Sequence, residues 1–394
     1  MNTYTFMNKN AELFDVEMDR GQAEKIFNLR KHAQHLLPVF LQPKKGMGIS
    51  RRDFNDWWSG RRIPASRGGV KELLWKLKNI GLDELAEKCL GLSLSDHYWI
   101  RPNSDVKWSE INFFENTFSE DIGELLITGH WNGGNLSSPD NTSDGVVKKR
   151  WKIIEGKRCL LKGSFSTVGI SQPQPFREAF ASKIAELLLK PFEGNFVVPY
   201  WLAWEEDLVY SVCENFVTVD TEYVSFNQIN QAYKKPNNES HFNFCRKFFG
   251  EYAYVLDLTL LLDFITLNED RHFGNFGIIR ETNTGEFLRP APIFDTGASL
   301  FFDSTHLNKS RLESKPFNKD FVKQVECVDR KIYYDSLCLV RDKYESIFYE
   351  VFEKSAEAEE RKVKILSIIG KQLELLFDSS DYMGLTPSSV FGQK

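Results

Sequence analysis

The sequence predicts an α+β protein of two lobes behind a mostly helical N-terminal accessory region, and three observations carry that reading. At 394 residues the chain is too long for one ordinary core, and 42% hydrophobic with 14% aromatic residues supplies apolar surface for two or three. Short strands and turns dominate from about 112 to 216 around a single helix, and helical spacing takes over from 217 onward. The polar residues suited to chemistry gather in one stretch, 268–297, on a loop and a hairpin that follow an apolar helix.

Taken in order, residues 1–111 form the accessory region. Helical spacing runs over 26–41 and again over 70–90, and the stretch 46–69 between them is rich in Arg, Gly and Trp. The second region, 112–216, opens on a strand at Leu125-Leu126-Ile127-Thr128-Gly129. A polar loop over 132–145 follows, then strands over 150–154 and 158–163 joined at Glu155-Gly156. A helix is predicted over 174–190 and two more strands over 196–200 and 207–213, so that a sheet with one helix outlines a nucleotide-clamping lobe. The third region, 217–394, is mainly helical apart from a hairpin over 276–294 that turns at Thr282-Asn283-Thr284-Gly285. Its last long helix sets Leu366, Ile369, Leu373 and Leu376 on one stripe, the pattern of a helix facing a core.

Charge and cysteine usage narrow the function classes. With 50 basic against 55 acidic residues the net charge is −5, so no global field draws the chain onto nucleic acid or anionic lipid. The six cysteines, Cys89, Cys159, Cys213, Cys245, Cys327 and Cys338, are scattered without a CxxC pair, which argues against a zinc knuckle or a disulfide framework. The N-terminus has no apolar h-region and no stretch reaches the length of a membrane span. The cytoplasm is the expected location, with delivery into another cell without a signal peptide as the alternative.

The chemistry is concentrated in Asn268-Glu269-Asp270-Arg271-His272-Phe273-Gly274-Asn275 and Ile293-Phe294-Asp295-Thr296-Gly297. Phosphoryl transfer needs a carboxylate to orient the acceptor hydroxyl and receive its proton, Mg held against the phosphates, and positive charge on the oxygens. Asp270, on a loop just past the apolar helix 254–267, is the candidate catalytic base. Asn275, five residues on, offers a carboxamide oxygen, and Asp295, at the end of the hairpin, offers a carboxylate; both are candidate Mg ligands. Each of the three alone would read as a turn residue. Arg271 and His272 are read as structural, with His272 stacked under the loop.

Lys162, in the apolar strand Arg158-Cys159-Leu160-Leu161-Lys162-Gly163, is a lysine that needs an anion, and ATP phosphate with a carboxylate of the 174–190 helix would supply it. Glu178 is favoured as that carboxylate over Glu186. The loop 137–145, carrying Thr142, Ser143 and Gly145, has the small residues whose main-chain N–H groups can cradle an anion, but no GxGxxG or GxxxxGK[ST] pattern. Glu214 and Phe216, at the end of the 207–213 strand, stand where a hinge would read adenine through its backbone.

These residues resemble the HipA-type serine/threonine kinases, whose best-known members are toxins of toxin–antitoxin pairs. The resemblance covers roughly 125–330 and is strongest over 268–278 and 294–299, with support from Leu160-Leu161-Lys162 and Arg177-Glu178. It implies a bilobal, protein-kinase-like fold, with Asp270 as base, Asn275 and Asp295 as Mg ligands, and Lys162 on phosphate paired with Glu178. It further implies ATP and Mg as cofactors, a protein substrate, and Ser143, with Thr142 second, as an autophosphorylation site. Trp57-Trp58-Ser59-Gly60-Arg61-Arg62-Ile63-Pro64 departs from the toxin pattern and resembles stand-alone HipA-like proteins, and an antitoxin-like or DNA-binding partner is carried over with least support.

The leading function is thus an ATP- and Mg-dependent serine/threonine protein kinase that transfers the γ-phosphate to a protein hydroxyl, its own included. A small-molecule or phosphoinositide-type kinase is one alternative. The other is a regulatory kinase-like module that docks a partner or DNA through Arg51, Arg52, Arg61, Arg62 and Arg67.

Overall fold

The computed structural model describes residues 1–43, 48–67, 69–77, 80–128, 136–142, 147–164, 173–302 and 307–377. Contacts divide the chain into two compact units that interleave along the sequence: Met1–Gly163 with Glu214–Lys234 and Ile278–Arg289, and Ser164–Cys213 with Lys235–Gly277 and Pro290–Lys394. The sequential boundaries at 111/112 and 216/217 do not coincide with this division.

The first unit corrects the expectation that 1–111 is mostly helical. Phe14-Asp15-Val16-Glu17-Met18 alternates apolar and acidic residues, the period of a half-buried strand, and four strands form here: β1 (Asn2–Asn8), β2 (Ala11–Asp19), β3 (Gln22–Phe27) and β4 (Tyr98–Pro102). They pair antiparallel in the order β3-β2-β1-β4, with Phe6 opposite both Phe14 and Ile100. Arg20 and Gly21, at φ 48° and 81°, make the β2–β3 turn with the twist a tight hairpin requires. The expected helix over 26–41 is reduced to two short 3-10 pieces, Lys31–Leu36 and Val39–Leu41, because Pro38 stands between them without an N–H to continue an α-helix.

True helices follow at Arg51–Arg61, Val70–Lys76 and Leu82–Lys88. Ser50 caps the first by accepting from Asp53 N, and its face carries Phe54, Trp57 and Trp58 into a core with Phe6, Phe14 and Tyr98. Acidic residues of the same unit offset the charge of the Arg cluster. Buried Arg61 lies 4.6 Å over the Trp57 ring and pairs with Asp96, Arg62 pairs with Asp83, Arg51 with Glu24 and Arg52 with Asp56.

The strand expected at Leu125-Leu126-Ile127-Thr128 is instead the helix Asp121–Thr128, whose Ile122, Leu125 and Leu126 pack at helical spacing on Val70, Leu73 and Leu85. Lys149–Ile154 and Lys157–Lys162 form the expected hairpin about Glu155-Gly156, both at positive φ. Thr221–Ser225 lies beside the hairpin of Gly277–Glu281 and Phe287–Pro290. Buried Arg280 reaches across to Glu222 at 2.8 Å, and burial pushes that carboxyl up to about 7 despite the guanidinium.

The second unit is built around Ala253–Thr266, a helix apolar on nearly every face and accordingly buried on nearly every face. It packs against Pro173–Leu189, His241–Phe249, Phe321–Val325 and Glu359–Phe377. Tyr334–Phe352 covers Pro173–Leu189 through Phe176, Phe180, Phe348 and Phe352. Leu366, Ile369, Leu373 and Leu376 are all buried, as their stripe predicts. Among the described residues no helix is long and apolar enough to cross a membrane.

Candidate active site

The site grows from the C-terminal end of Ala253–Thr266. The helix stops because Leu267 takes the left-handed conformation, φ 51°, which turns the chain out into the loop 268–275. Asp263, on the last turn and fully buried, then organises everything that follows. Asn268 Nδ2 donates to its Oδ1 at 2.8 Å, and Arg271 grips both oxygens, Nε to Oδ2 at 2.9 Å and Nη2 to Oδ1 at 3.1 Å. A bidentate guanidinium–carboxylate pair at this burial fixes position as well as charge.

Arg271 has one more nitrogen, and it does the joining. Nη1 donates to Asn275 O at 2.8 Å and to Phe294 O at 2.7 Å, so one guanidinium fastens the far end of the loop to the residue preceding Asp295. Asn275 Nδ2 donates to Asp270 O at 2.9 Å and Asn268 Oδ1 accepts from Asp270 N at 3.3 Å, which holds the Asp270 backbone from both sides. The Asp270 carboxylate itself stays 48% exposed. Its Oδ1 accepts from Lys315 Nζ at 2.9 Å, and Oδ2 lies 4.0 Å from His272 Nε2. His272 is half-exposed beside Asp270 rather than stacked beneath the loop, with Nδ1 accepting from Gly274 N.

The Asp295 arm has further anchors. Ile293 bridges Val197, with Ile293 N donating to Phe196 O at 2.7 Å, while Glu269 N donates to Ala298 O and Leu300 N to Thr266 O. Between these anchors Asp295 sits at φ 56°, a conformation that aspartate tolerates better than most residues. The turn passes over Glu178: a Cβ added to Gly297 would lie 3.8 Å from Glu178 Oε2. Glu178 is buried on Pro173–Leu189 and accepts from Ser211 Oγ at 2.6 Å. The Tyr200 phenol is driven well above its ordinary range by burial, with the charges of Cys213, Glu178 and Asp295 adding to it.

Magnesium prefers hard oxygens, takes few from the protein, and completes its shell from phosphate and water. The donor set here fits: the Asp295 carboxylate and Asn275 Oδ1, the end of the amide left over once Nδ2 is committed to Asp270 O. Among the described residues no group of three or more His, Cys, Asp or Glu is assembled, so an ion held by Asp295 and Asn275 would draw the rest of its shell from phosphate and water.

Asp270, Asn275, Asp295 and Glu178 thus belong to the second unit. Lys162, Glu214 and Phe216 belong to the first. Lys162 ends the Lys157–Lys162 strand, buried and paired in register with Lys149. Glu214 is exposed and pairs with Lys157 at 2.8 Å, while Phe216 packs edge-on to Tyr223. Ser143 and Gly145 lie outside the described residues. The Thr142 hydroxyl is buried and donates to Leu92 O at 2.6 Å.

No family model matches the chain, and no curated protein sequence matches it. Among solved structures, HipA of Shewanella oneidensis MR-1, in its complex with HipB and operator DNA, aligns over 95% of this chain and 96% of its own at TM-score 0.56 and 12% identity. The chain has the HipA-like kinase fold. The Helicobacter pylori proinflammatory kinase CtkA aligns over 60% of this chain and 95% of its own, at TM-score 0.44 and 18% identity.

Two residues that shape the loop 268–275 were not singled out from the sequence. Asp263 could have been: a carboxylate inside the apolar helix 254–267 needs a buried partner, and Arg271 is the nearby cation that can supply one. Lys315 could not, since nothing in its local pattern ties it to a residue 45 positions earlier.

Proposed function

We propose that the protein is an ATP- and Mg-dependent serine/threonine protein kinase of HipA-like type, with itself among its substrates. The observation that carries the reading is the loop 268–275, where a half-exposed Asp270 carboxylate stands on a backbone clamped by the Arg271–Asp263 pair and tied by the same guanidinium to the Asp295 arm. Phosphoryl transfer asks for this division between rigid support and accessible carboxylate. ATP with Mg supplies the phosphoryl group and the charge that neutralises its oxygens. Asp270 orients the acceptor hydroxyl and takes its proton as the new O–P bond forms and the bond from phosphorus to the ADP oxygen breaks. Asn275 and Asp295 are assigned to the ion, and Lys162, with Glu178, to phosphate.

A protein partner is also part of the proposal, by analogy with the HipA of Shewanella that was solved with HipB and DNA. The direct DNA contact is left aside because Glu24, Asp56, Asp83 and Asp96 stand among Arg51, Arg52, Arg61 and Arg62 and offset their charge. The test is incubation of the purified chain with Mg and ATP labelled in the γ-phosphate, followed by mass-spectrometric mapping. Label on Ser or Thr is expected, with Ser143 rather than the buried Thr142 as the site in the 137–145 loop. Nucleotide binding with no labelled protein would turn the assignment toward a small-molecule kinase.

A further inference from the structure

Asp270 is met by a cation from outside its own loop. Lys315 Nζ donates to Asp270 Oδ1 at 2.9 Å, from a turn that lies between the Asp295 arm and the helix Phe321–Val325. That turn is fastened in place. Buried Gln324 donates through Nε2 to Ser314 Oγ and to Lys315 O, both at 2.6 Å, and its Oε1 accepts from Phe317 N and Asn318 N. Ser314 N donates to Lys319 O at 2.8 Å, closing the turn on itself. Phe317 then packs its ring 5.9 Å from Phe273, inside the 268–275 loop, and Glu313 N donates to Glu269 Oε1. Lysine backbone and lysine neighbours are therefore tied to the same loop that its ammonium touches.

We infer that Lys315 is a positioning residue for phosphoryl transfer, which holds Oδ1 of Asp270 so that Oδ2 is the oxygen that takes the acceptor proton. The inference rests on the kinase reading above. A carboxylate on a single χ2 torsion presents its two oxygens interchangeably unless one is engaged, and an ammonium with three N–H groups can engage one and keep two for the acceptor or the transferred phosphoryl oxygens. Both side chains are 48% exposed, so the pair is open to a substrate while it forms.

The experiment measures self-phosphorylation of the full chain with Mg and labelled ATP at varied ATP concentration, for wild type, Lys315→Met and Lys315→Arg. The expected result is a saturating rate lowered roughly 10- to 100-fold in Lys315→Met with the KM for ATP within about twofold, and recovery to within about threefold of wild type in Lys315→Arg. Gln324→Ala, which keeps the lysine but releases its turn, should lower the saturating rate in the same direction. A Lys315→Met rate equal to or above wild type overturns the inference and leaves the kinase reading standing, the faster case marking Lys315 as a block on Asp270. A fall in rate matched by an equal loss of ATP affinity overturns it as well, since the residue would then be only structural. Wild type that binds Mg-ATP and labels nothing removes the kinase reading and this inference together.

Discussion

The loop 268–275 has two faces that use the same residue types for opposite purposes. On its inner face Arg271 and Asp263 are 1% and 0% exposed and every guanidinium nitrogen is committed. On its outer face Lys315 and Asp270 form a pair with each side chain 48% exposed. A buried pair is costly to break because the surviving charge has no water to turn to, whereas an exposed pair contributes little to stability. The inner pair builds the platform, and the outer one is available for chemistry.

The largest expected effect follows from breaking the inner pair. Arg271→Ala leaves Asp263 buried without its guanidinium and unties Phe294 from Asn275, and should destabilise the protein by about 3–5 kcal/mol, read as a urea or thermal unfolding shift. A loss below about 1 kcal/mol would erase the contrast between the faces.

The histidines extend the comparison. His97 is fully buried and stacked 4.5 Å from Phe114, and burial lowers its imidazole to about 4, the field of Lys9 adding to burial and those of Asp96 and Asp220 opposing it. The fold therefore holds it neutral while the unfolded chain takes up a proton below its ordinary value near 6.5, so its contribution is intact above about pH 6.5 and is lost as pH falls toward 4. At full extent this is about 3 kcal/mol. The difference in unfolding free energy between wild type and His97→Phe, followed over that window, should grow less favourable to wild type as pH falls. A flat difference would contradict it. The half-exposed His272 should tolerate Ala with less than about 1 kcal/mol lost.

Asp295→Asn sharpens the chemical side. Asparagine accepts the left-handed backbone that Asp295 adopts at φ 56°, so the change removes charge without adding strain. We expect Mg-ATP affinity to fall roughly tenfold, about 1.4 kcal/mol, in a magnesium titration with the unfolding midpoint little changed.

The legibility of the chain follows the range of its interactions. The Glu155-Gly156 hairpin, the helix Pro173–Leu189 and the buried stripe of Glu359–Phe377 are governed by local pattern and were readable. So was the placing of Asp270 and Asn275 on a loop after the helix Ala253–Thr266, because that helix is one continuous apolar run. The β1–β4 sheet was not legible although Phe14-Asp15-Val16-Glu17-Met18 alternates, since β1 completes its pairing only with β4, about 90 residues along the chain. Leu125-Leu126-Ile127-Thr128 failed for a different reason: a short apolar run suits strand or helix, and the packing of Ile122, Leu125 and Leu126 on Val70 and Leu73 decided it. Arg61 and Arg62 gave a basic cluster whose partners, Asp96 and Asp83, are set by tertiary structure alone. Lys315 belongs with them.

The most direct test of the two-faced loop is Asp270→Ala against wild type, with phosphoryl transfer from labelled ATP and urea unfolding measured on the same preparations. Transfer reduced by about 10²–10⁴-fold with unfolding free energy within about 1 kcal/mol is the expected result. Transfer equal to wild type, or an unfolding loss as large as that of Arg271→Ala, would contradict the assignment of chemistry to the outer face and support to the inner one.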